Sequence, residues 1–267
     1  MKSGTVTPKP VIVAISYGTL DPAGEKEQEK IDRIIRERFP DNEVRWVYAA
    51  GHFLQALKKM GRTTIFERKV PIKSLEEMYS DLVKEGKTNV ALLCLLVHES
   101  WSVSKWVYEH PTQGLNVKYT KPLLADIFNV EKVVEALAPQ FGGEDTVTIL
   151  VGHGGVSGKE FHVNAPFWAM DEYISWRYKN VFVATVHGPP GVERAIADAQ
   201  KTGCSQVLFI PLFLTTGEHI TKDVMADTPE SWKSRVGLPA RVGSPFCDDP
   251  LVMEVYVSYL ASVLSQF

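Results

Sequence analysis

Short, uninterrupted apolar runs alternate along this chain with segments of helical periodicity, and this alternation constrains the fold more than any other feature. Such runs occupy residues 10–16, 89–97, 146–151 and 205–214, and their unbroken hydrophobicity is typical of strands buried on both faces. Residues 23–39 carry apolar residues at helical spacing, between start signals at Asp21 and Pro22 and a stop at Pro40. Because strand–helix–strand order produces a parallel sheet, the sequence predicts an α/β fold.

The other elements are predicted from the same signals. Residues 74–85 begin with a Ser74-x-x-Glu77 capping box, which indicates a helix start. Further helices are expected over residues 53–59, 130–137, 166–178, 190–202 and 252–264, and further strands over residues 43–48, 115–119 and 180–186.

The order of elements restarts near the middle of the chain. Ser16-Tyr17-Gly18-Thr19 ends a buried strand in the first half, and Gly152-His153-Gly154-Gly155 ends one in the second. We therefore expect two similar α/β lobes, over residues 1–128 and 129–267, with the boundary near residues 126–129. Since open α/β sheets bind ligands at the carboxyl ends of their strands, a cleft should lie between the lobes.

Composition excludes several classes of protein. With 267 residues, 45% of them hydrophobic, the chain can bury a large core. A net charge of −3 without a long Lys/Arg run predicts no nucleic-acid partner. Cys94, Cys204 and Cys247 form no CxxC pair, and we expect core positions for them. The absence of a secretory or membrane-spanning apolar stretch predicts no membrane partner and a cytoplasmic location, with a mature periplasmic form as the alternative.

Three of the seven histidines stand where second-lobe strands end or have just ended. His153, His187 and His219 each adjoin or lie close to glycine, which lets a ligand approach the backbone. Neutral imidazoles with open coordination positions suit a divalent metal such as Co²⁺, Ni²⁺, Zn²⁺ or Fe²⁺. A tight turn or a phosphate cradle at Gly-His-Gly-Gly remains the alternative. The sequence lacks HExxH, GxSxG and GxxxxGK[ST], which argues against zinc proteases, α/β-hydrolases and P-loop proteins.

Several motifs together resemble one family. Ser16-Tyr17-Gly18-Thr19, Gly152-His153-Gly154 and Gly217-Glu218-His219, followed by residues 223–227 and 231–233, resemble the anaerobic, CbiK-type sirohydrochlorin cobaltochelatases. These are class II chelatases of the ferrochelatase-like superfamily. The resemblance implies two Rossmann-like lobes around a tetrapyrrole cleft. It also implies insertion of a divalent metal, Co²⁺ in preference, as substrate without a nucleotide cofactor, in cobalamin or sirohaem biosynthesis.

The resemblance also assigns residues. The family's two metal-binding histidines match His153 and His219, and we expect these two to be the catalytic residues, holding the metal and accepting pyrrole protons. The family's glutamate ligand falls at His187, so the predicted metal ligands are three histidines. The family's histidine near Leu96 is absent, and His98, two residues later on the same strand face, is a candidate replacement.

Further residues are predicted to bind or orient. Ser16 and Tyr17 should form the cleft's first-lobe wall. Glu218 could orient an imidazole, and a solvated carboxylate is the equal alternative. Sirohydrochlorin carries many carboxylates, which the densest basic cluster of the chain could bind, with Lys58 and Arg62 as the predicted contacts. A solvated face is the alternative for this cluster, which comprises Lys58, Lys59, Arg62, Arg68 and Lys69. Trp168 is expected to bind the tetrapyrrole, and Trp101 and Phe167 could also pack on it; ordinary core packing is the alternative for these aromatic residues.

Three alternatives remain open at this point. The same ligands would serve a non-catalytic metal or haem carrier, or a chelatase for Fe²⁺ or Ni²⁺. A homo-oligomer is also compatible with the sequence.

Overall fold

The computed structural model describes residues 9–49, 51–99, 104–155 and 161–267 of the chain. The first half begins with a strand that is buried along its whole length, as its apolar run predicts. In chain order its elements are β1 (Val11–Ser16), α1 (Pro22–Arg38), β2 (Val44–Tyr48), α2 (Gly51–Lys59), β3 (Thr64–Ile65), β4 (Val70–Pro71), α3 (Leu75–Lys84), β5 (Asn89–Cys94), a π-helical turn (Ser104–Tyr108) and β6 (Asn116–Tyr119).

The second half repeats the alternation of strands and helices. After a 3₁₀ turn (Leu123–Ala125), its elements are α4 (Ile127–Leu137), a 3₁₀ turn (Ala138–Gln140), β7 (Thr146–Gly154), α5 (Phe161–Ser175), β8 (Val181–His187), α6 (Val192–Lys201), β9 (Gln206–Pro211), a π-helical turn (His219–Val224), α7 (Trp232–Val236), β10 (Ala240–Val242), a 3₁₀ turn (Phe246–Asp248) and α8 (Pro250–Leu264).

The strands form two parallel sheets, which confirms the predicted fold class. The first sheet has the order β2-β1-β5-β6 and the second the order β10-β9-β7-β8, and β3 and β4 form a separate antiparallel pair. Within each four-stranded sheet all pairings are parallel. The first strand of each half, β1 or β7, lies inside its sheet, so the two Gly-containing motifs that end these strands occupy equivalent positions.

Local signals set the helix starts as the sequence predicts. The Asp21 side chain accepts a hydrogen bond from the Ala23 N–H at the start of α1. At the start of α3 the capping box is complete, because Ser74 Oγ accepts from the Glu77 N–H and the Glu77 carboxylate accepts from the Ser74 N–H.

Several boundaries differ from the prediction. Strand β7 continues to Gly154, so His153 lies inside a strand, and β5 ends at Cys94, three residues early. Helix α5 contains Pro166 as an internal residue and so begins before the predicted start at residue 166. The β3–β4 hairpin, α7 and β10 were not predicted, because each element is five residues or shorter and carries too little periodicity.

Helix α8 packs back onto the first half of the chain. The Tyr256 hydroxyl donates to the Leu96 carbonyl oxygen at 3.1 Å, and Arg38 on α1 forms an ion pair with Glu254. One hydrophobic cluster includes Ile12 of the first sheet, Leu150 of the second and Leu260 of α8. Along the chain, the change from strands of the first sheet to strands of the second falls around the predicted lobe boundary. The boundary itself remains a prediction. None of the helices in the described ranges is long and apolar enough to cross a membrane.

Candidate metal centre and cleft

A cleft of about 550 Å³ lies where the strands of both sheets end. Its described walls comprise residues 16–20 after β1, residues 95–98 after β5, residues 212–219 after β9, and parts of α1, α2 and β7. The cleft therefore lies at the carboxyl ends of the strands from both halves, as predicted for paired open α/β sheets.

Three histidines converge beside this cleft, and two of them, His153 and His219, line it. His153 and His187 lie on the neighbouring strands β7 and β8, where Gly154 pairs with His187, and His219 begins the π-helical turn after β9. One possible ligand atom from each imidazole lies within 4.8 Å of the others. The ring centroids of His153 are 5.0 Å from His187 and 4.9 Å from His219. The metal-ligand set predicted from the sequence is thus brought together.

Hydrogen bonds at Nδ1 fix two of these rings. His153 Nδ1 donates to the Gly154 carbonyl oxygen at 2.7 Å, and His219 Nδ1 lies 2.6 Å from Asp223 Oδ2. Because these oxygens accept the Nδ1 proton, each Nε2 keeps its lone pair for a metal. The His219 ring also stacks on Phe213, with 6.1 Å between the centroids.

His187 is held through its backbone. The Asn164 side-chain amide donates to the His187 carbonyl oxygen at 3.4 Å, while its oxygen accepts from the Gly155 N–H at 2.7 Å. Asn164 thus connects the ends of β7 and β8. Gly154, with φ of +71°, permits their close approach, since a Cβ there would lie 2.0 Å from the His187 carbonyl oxygen.

Burial favours the neutral form of His153 and of His98, which adjoins it. It lowers the pKa of His153, an effect that its bond to Gly154 opposes and that the neighbouring histidines reinforce. His98 is 9% exposed, and burial lowers its pKa to about 4. The His98 ring centroid lies 5.9 Å from that of His153, so a fourth imidazole adjoins the cluster, although it does not join the set whose ligand atoms converge.

Ser16 and Tyr17 line the cleft, as the sequence analysis expects. Tyr17 is 41% exposed, whereas Ser16 is buried and its hydroxyl has no hydrogen-bond partner among the described residues. His52, which sequence reasoning left without a role, also lines the cleft from α2.

Of the two alternatives for Glu218, the structure shows the solvated carboxylate. Glu218 is exposed and forms an ion pair with Lys222 at 2.9 Å. Asp223 contacts the imidazole instead, because one helical turn separates it from His219. The four-residue spacing between His219 and Asp223 in the sequence was the signal that could have indicated this contact.

Other predicted tetrapyrrole contacts do not lie in the cleft. Lys58 pairs with Glu77, Arg62 binds the Glu25 carboxylate at 2.7 and 2.8 Å, and neither is among the described residues that line the cleft. Trp168 is also absent from that lining and packs beneath the Arg194 guanidinium.

Core packing accounts for Phe167. Phe167 is fully buried and contacts the edge of the His98 ring, so it is a core residue rather than a cleft residue. The prediction for Trp101 lies outside the described residues.

Comparisons with known proteins agree with this geometry. The profile of the family "Cobalt chelatase (CbiK)" matches residues 10–242. Sirohydrochlorin cobaltochelatase CbiKC of Nitratidesulfovibrio vulgaris is 25% identical over 239 residues, which cover 86% of this chain and 80% of that protein. Sirohydrochlorin cobaltochelatase of Salmonella typhimurium is 23% identical over 269 residues, which cover 96% of this chain and 97% of that protein.

Solved structures show the same fold at low identity. SirB from Bacillus subtilis, determined with Fe³⁺, superposes with a TM-score of 0.64 at 12% identity, covering 97% of this chain and 96% of SirB. CbiX, described as the terminal enzyme of sirohaem biosynthesis in denitrifying bacteria, has a TM-score of 0.53 at 16% identity, covering 95% of this chain and 98% of CbiX. Since the family profile spans both parallel sheets and all three converging histidines, the chain belongs to the cobalt chelatase (CbiK) family.

Proposed function

We propose that this protein inserts a divalent metal, Co²⁺ in preference, into sirohydrochlorin without a nucleotide. The observation that carries this proposal is the convergence of the His153, His187 and His219 imidazoles beside the cleft at which strands of both sheets end. The membership in a cobalt chelatase family supports it, as do the names of the relatives. Metal and tetrapyrrole are both substrates in this reaction.

The three imidazoles would hold the incoming metal while the macrocycle occupies the cleft. Nε2 of His153, Nε2 of His219 and one ring nitrogen of His187 would be the donor atoms. Uncharged imidazole nitrogens suit a borderline divalent ion, and three of them leave coordination positions for water or pyrrole nitrogens. Because the three histidine ligands carry no negative charge, they hold the metal less tightly than a ligand set that contains a carboxylate. This weaker binding favours transfer of the metal to the macrocycle.

The same residues would accept protons. Insertion displaces two pyrrole N–H protons, and a neutral imidazole that releases its metal bond can take one of them. Burial lowers the pKa of His153, which keeps this imidazole unprotonated near neutral pH and available to the metal. His219 has a carboxylate at Nδ1, which stabilises the imidazolium formed when Nε2 takes a proton. We assign metal binding to all three histidines, and proton acceptance to one of His153 and His219 once its metal bond is released.

The direct test is spectroscopic. Sirohydrochlorin and Co²⁺ are mixed with purified protein at catalytic concentration, and conversion of the absorption spectrum to that of the cobalt complex is followed. Turnover beyond one equivalent supports the enzyme, whereas a stoichiometric change without turnover would show a carrier. Parallel reactions with Fe²⁺ and Ni²⁺ report the metal preference.

Two variants test the assigned residues. His153→Ala and His219→Ala should each lower insertion by at least about a hundredfold while the protein remains folded. His110→Ala is the matched control, because His110 packs on Tyr79, with ring centroids 5.9 Å apart, outside the cluster. Turnover near that of the unmodified protein in either cluster variant would exclude that residue from the mechanism.

A further inference from the structure

Helix α1 contacts residues 212–219, the segment that follows β9 and ends at His219, through one carboxylate. The Glu27 carboxylate accepts a hydrogen bond from the Thr216 N–H at 2.6 Å and another from the Thr216 hydroxyl at 3.0 Å. Thr216 lies between β9 and the π-helical turn that contains His219 and Asp223. Glu27 thus joins a helix of the first half to the segment that supplies one metal ligand and the group orienting it.

This contact holds a part of the segment that the sheet does not hold. The beginning of the segment is fixed by backbone hydrogen bonds, from the Leu212 N–H to the Val151 oxygen and from the Cys247 N–H to the Leu214 oxygen. Beyond Leu214, the two bonds to Glu27 fix Thr216, three residues before His219. Glu27 thus adds a second restraint near His219, besides the stacking of the His219 ring on Phe213.

The approach of α1 to this segment is close. A Cβ at Gly24 would lie 2.8 Å from Thr19 Oγ1 and 3.2 Å from the Thr216 carbonyl oxygen, so only glycine fits without displacement of a neighbour. Glu27 lies one helical turn after Gly24 and is partly buried at this contact, which raises the pKa of its carboxyl group, while the bonds to Thr216 oppose that effect.

Neighbouring carboxylates on α1 contact a different element. Glu25 accepts from Arg62 and from the Phe66 N–H, and Glu29 accepts from the Glu67 N–H, so both hold the β3–β4 hairpin. Glu27 differs from them because it is directed at the segment that ends in His219.

We propose that Glu27 is a positioning residue for the metal centre, which fixes the segment before His219 so that its imidazole meets those of His153 and His187. This inference rests on the proposed function and deepens it, because it assigns the geometry of the centre to a residue that touches neither substrate. Without the two bonds, metal binding would have to order the segment, and the affinity for metal would fall.

Co²⁺ alone is the probe. Visible absorption of bound Co²⁺ is titrated for the full chain and for Glu27→Ala, Glu27→Gln and Asp248→Asn. Glu27→Ala should weaken Co²⁺ binding about tenfold or more, since hydrogen bonds to a charged group are lost. Glu27→Gln keeps an acceptor oxygen for the Thr216 N–H, and its affinity should stay within about threefold of the unmodified protein.

Asp248→Asn is the matched control. Asp248 forms an ion pair with Lys30 at 2.6 Å, which also joins α1 to the second half of the chain but does not touch the residues just before His219. Its affinity for Co²⁺ should stay within about twofold, because an exposed ion pair contributes little. Equal weakening in Asp248→Asn and Glu27→Ala, or unchanged binding in Glu27→Ala, would overturn the proposal.

Two further measurements separate positioning from general stability. In the insertion assay, the KM for Co²⁺ of Glu27→Ala should rise about tenfold, with kcat at saturating Co²⁺ within about threefold. If Glu27→Ala does not fold, Thr216→Val removes the hydroxyl bond alone and should weaken Co²⁺ binding about threefold; unchanged binding would contradict the proposal. The Co²⁺ titration needs no sirohydrochlorin, so failure of insertion would reject the proposed function without altering the result for Glu27.

Discussion

The proposed metal centre depends, at the residue scale, on how each imidazole is oriented. His153 and His219 are fixed through Nδ1, whereas His187 is placed by its strand and by the Asn164 amide at its carbonyl oxygen. His187 also stands where the family resemblance expects a glutamate. Because a histidine there removes one negative charge from the ligand set, we expect this protein to bind its metal by neutral donors.

The carboxylate of Asp223 should control the affinity of His219 for metal. Asp223→Ala removes the acceptor of the Nδ1 proton, so the ring loses its orientation, and Co²⁺ affinity should fall about ten- to a hundredfold. Visible absorption during a Co²⁺ titration measures this change. Glu218→Ala is the control, because Glu218 pairs with Lys222 at the surface and should have almost no effect. A larger loss in Glu218→Ala would restore the role that sequence reasoning gave to Glu218.

His98 should make the stability of the fold sensitive to acid. Its folded-state pKa of about 4 lies below the ordinary value of about 6.5, because burial disfavours the charged ring. Above pH 6.5 the ring is neutral in both states. As pH falls from about 6.5 towards 4, only the unfolded chain gains this proton, so the free energy of unfolding falls by something on the order of 3 kcal/mol.

Urea unfolding at pH 7, 5.5 and 4.5 measures this dependence. His98→Gln removes the titrating group, so the difference in unfolding free energy between the unmodified protein and the variant should shrink as pH falls. Parallel pH curves for the two proteins would show that His98 does not contribute.

At the scale of elements, the ends of β7 and β8 determine whether the centre can form. Gly154 has φ of +71°, and a Cβ there would lie 2.0 Å from the His187 oxygen and 2.8 Å from Thr185 Cβ. Both neighbours belong to β8, so an added methyl group must push the two strand ends apart. The separation between the His153 and His187 imidazoles depends on this close approach.

Gly154→Ala should therefore damage both stability and metal binding. A left-handed φ for alanine and the contact with backbone together cost about 1–3 kcal/mol or more, which lowers the melting temperature by several degrees. Co²⁺ affinity should fall as well, because His187 moves with its strand end. Gly143→Ala is the control, since a Cβ there meets nothing within 4 Å. Unchanged melting and Co²⁺ binding in Gly154→Ala would contradict this account of the strand ends.

Local sequence patterns were sufficient to predict most of the helices and strands. They could not predict contacts between residues that are distant in sequence. Buried strands and capped helices follow from short-range signals, and strand ends brought His153, His187 and His219 together as expected. Local patterns left two alternatives open for the basic cluster around Lys58, substrate binding or a solvated face, because its acidic partners Glu25 and Glu77 lie 37 and 19 residues away from Arg62 and Lys58. No local pattern pairs such residues. The same holds for Glu27 and Thr216, which are 189 residues apart.

At the scale of the whole molecule, the two sheets share one cleft and one continuous core. Leu150 of the second sheet, Ile12 of the first and Tyr256 of α8 belong to the same hydrophobic cluster. Moving the two sheets apart would expose this hydrophobic cluster to water. Because that exposure is unfavourable, it opposes wide opening of the cleft. Substrate entry is therefore expected to involve the loops at the strand ends more than the sheets themselves.

Charge is distributed unevenly between this cleft and the outer surface. The described residues that line the cleft include no Lys or Arg, and the walls are largely apolar, with imidazoles at one end. The basic cluster instead pairs with acidic side chains outside: Lys58 with Glu77, Arg62 with Glu25 and Arg68 with Asp32. We infer that the cleft holds the flat macrocycle by apolar contact, with its carboxylates directed towards the mouth and solvent.

Removing one positive charge from the basic cluster should therefore leave tetrapyrrole binding almost unchanged. Lys58→Ala removes an exposed charge that pairs with Glu77 at 3.4 Å, and the KM for sirohydrochlorin should stay within about twofold. Tyr17→Ala removes an aromatic ring from the cleft wall, and the same KM should rise about fivefold, since loss of such a contact costs about 1 kcal/mol. Steady-state insertion assays at saturating Co²⁺ measure both values. A tenfold rise in Lys58→Ala would show that the basic cluster holds substrate carboxylates, and the macrocycle would then have to extend over α2 rather than lie between the two sheets.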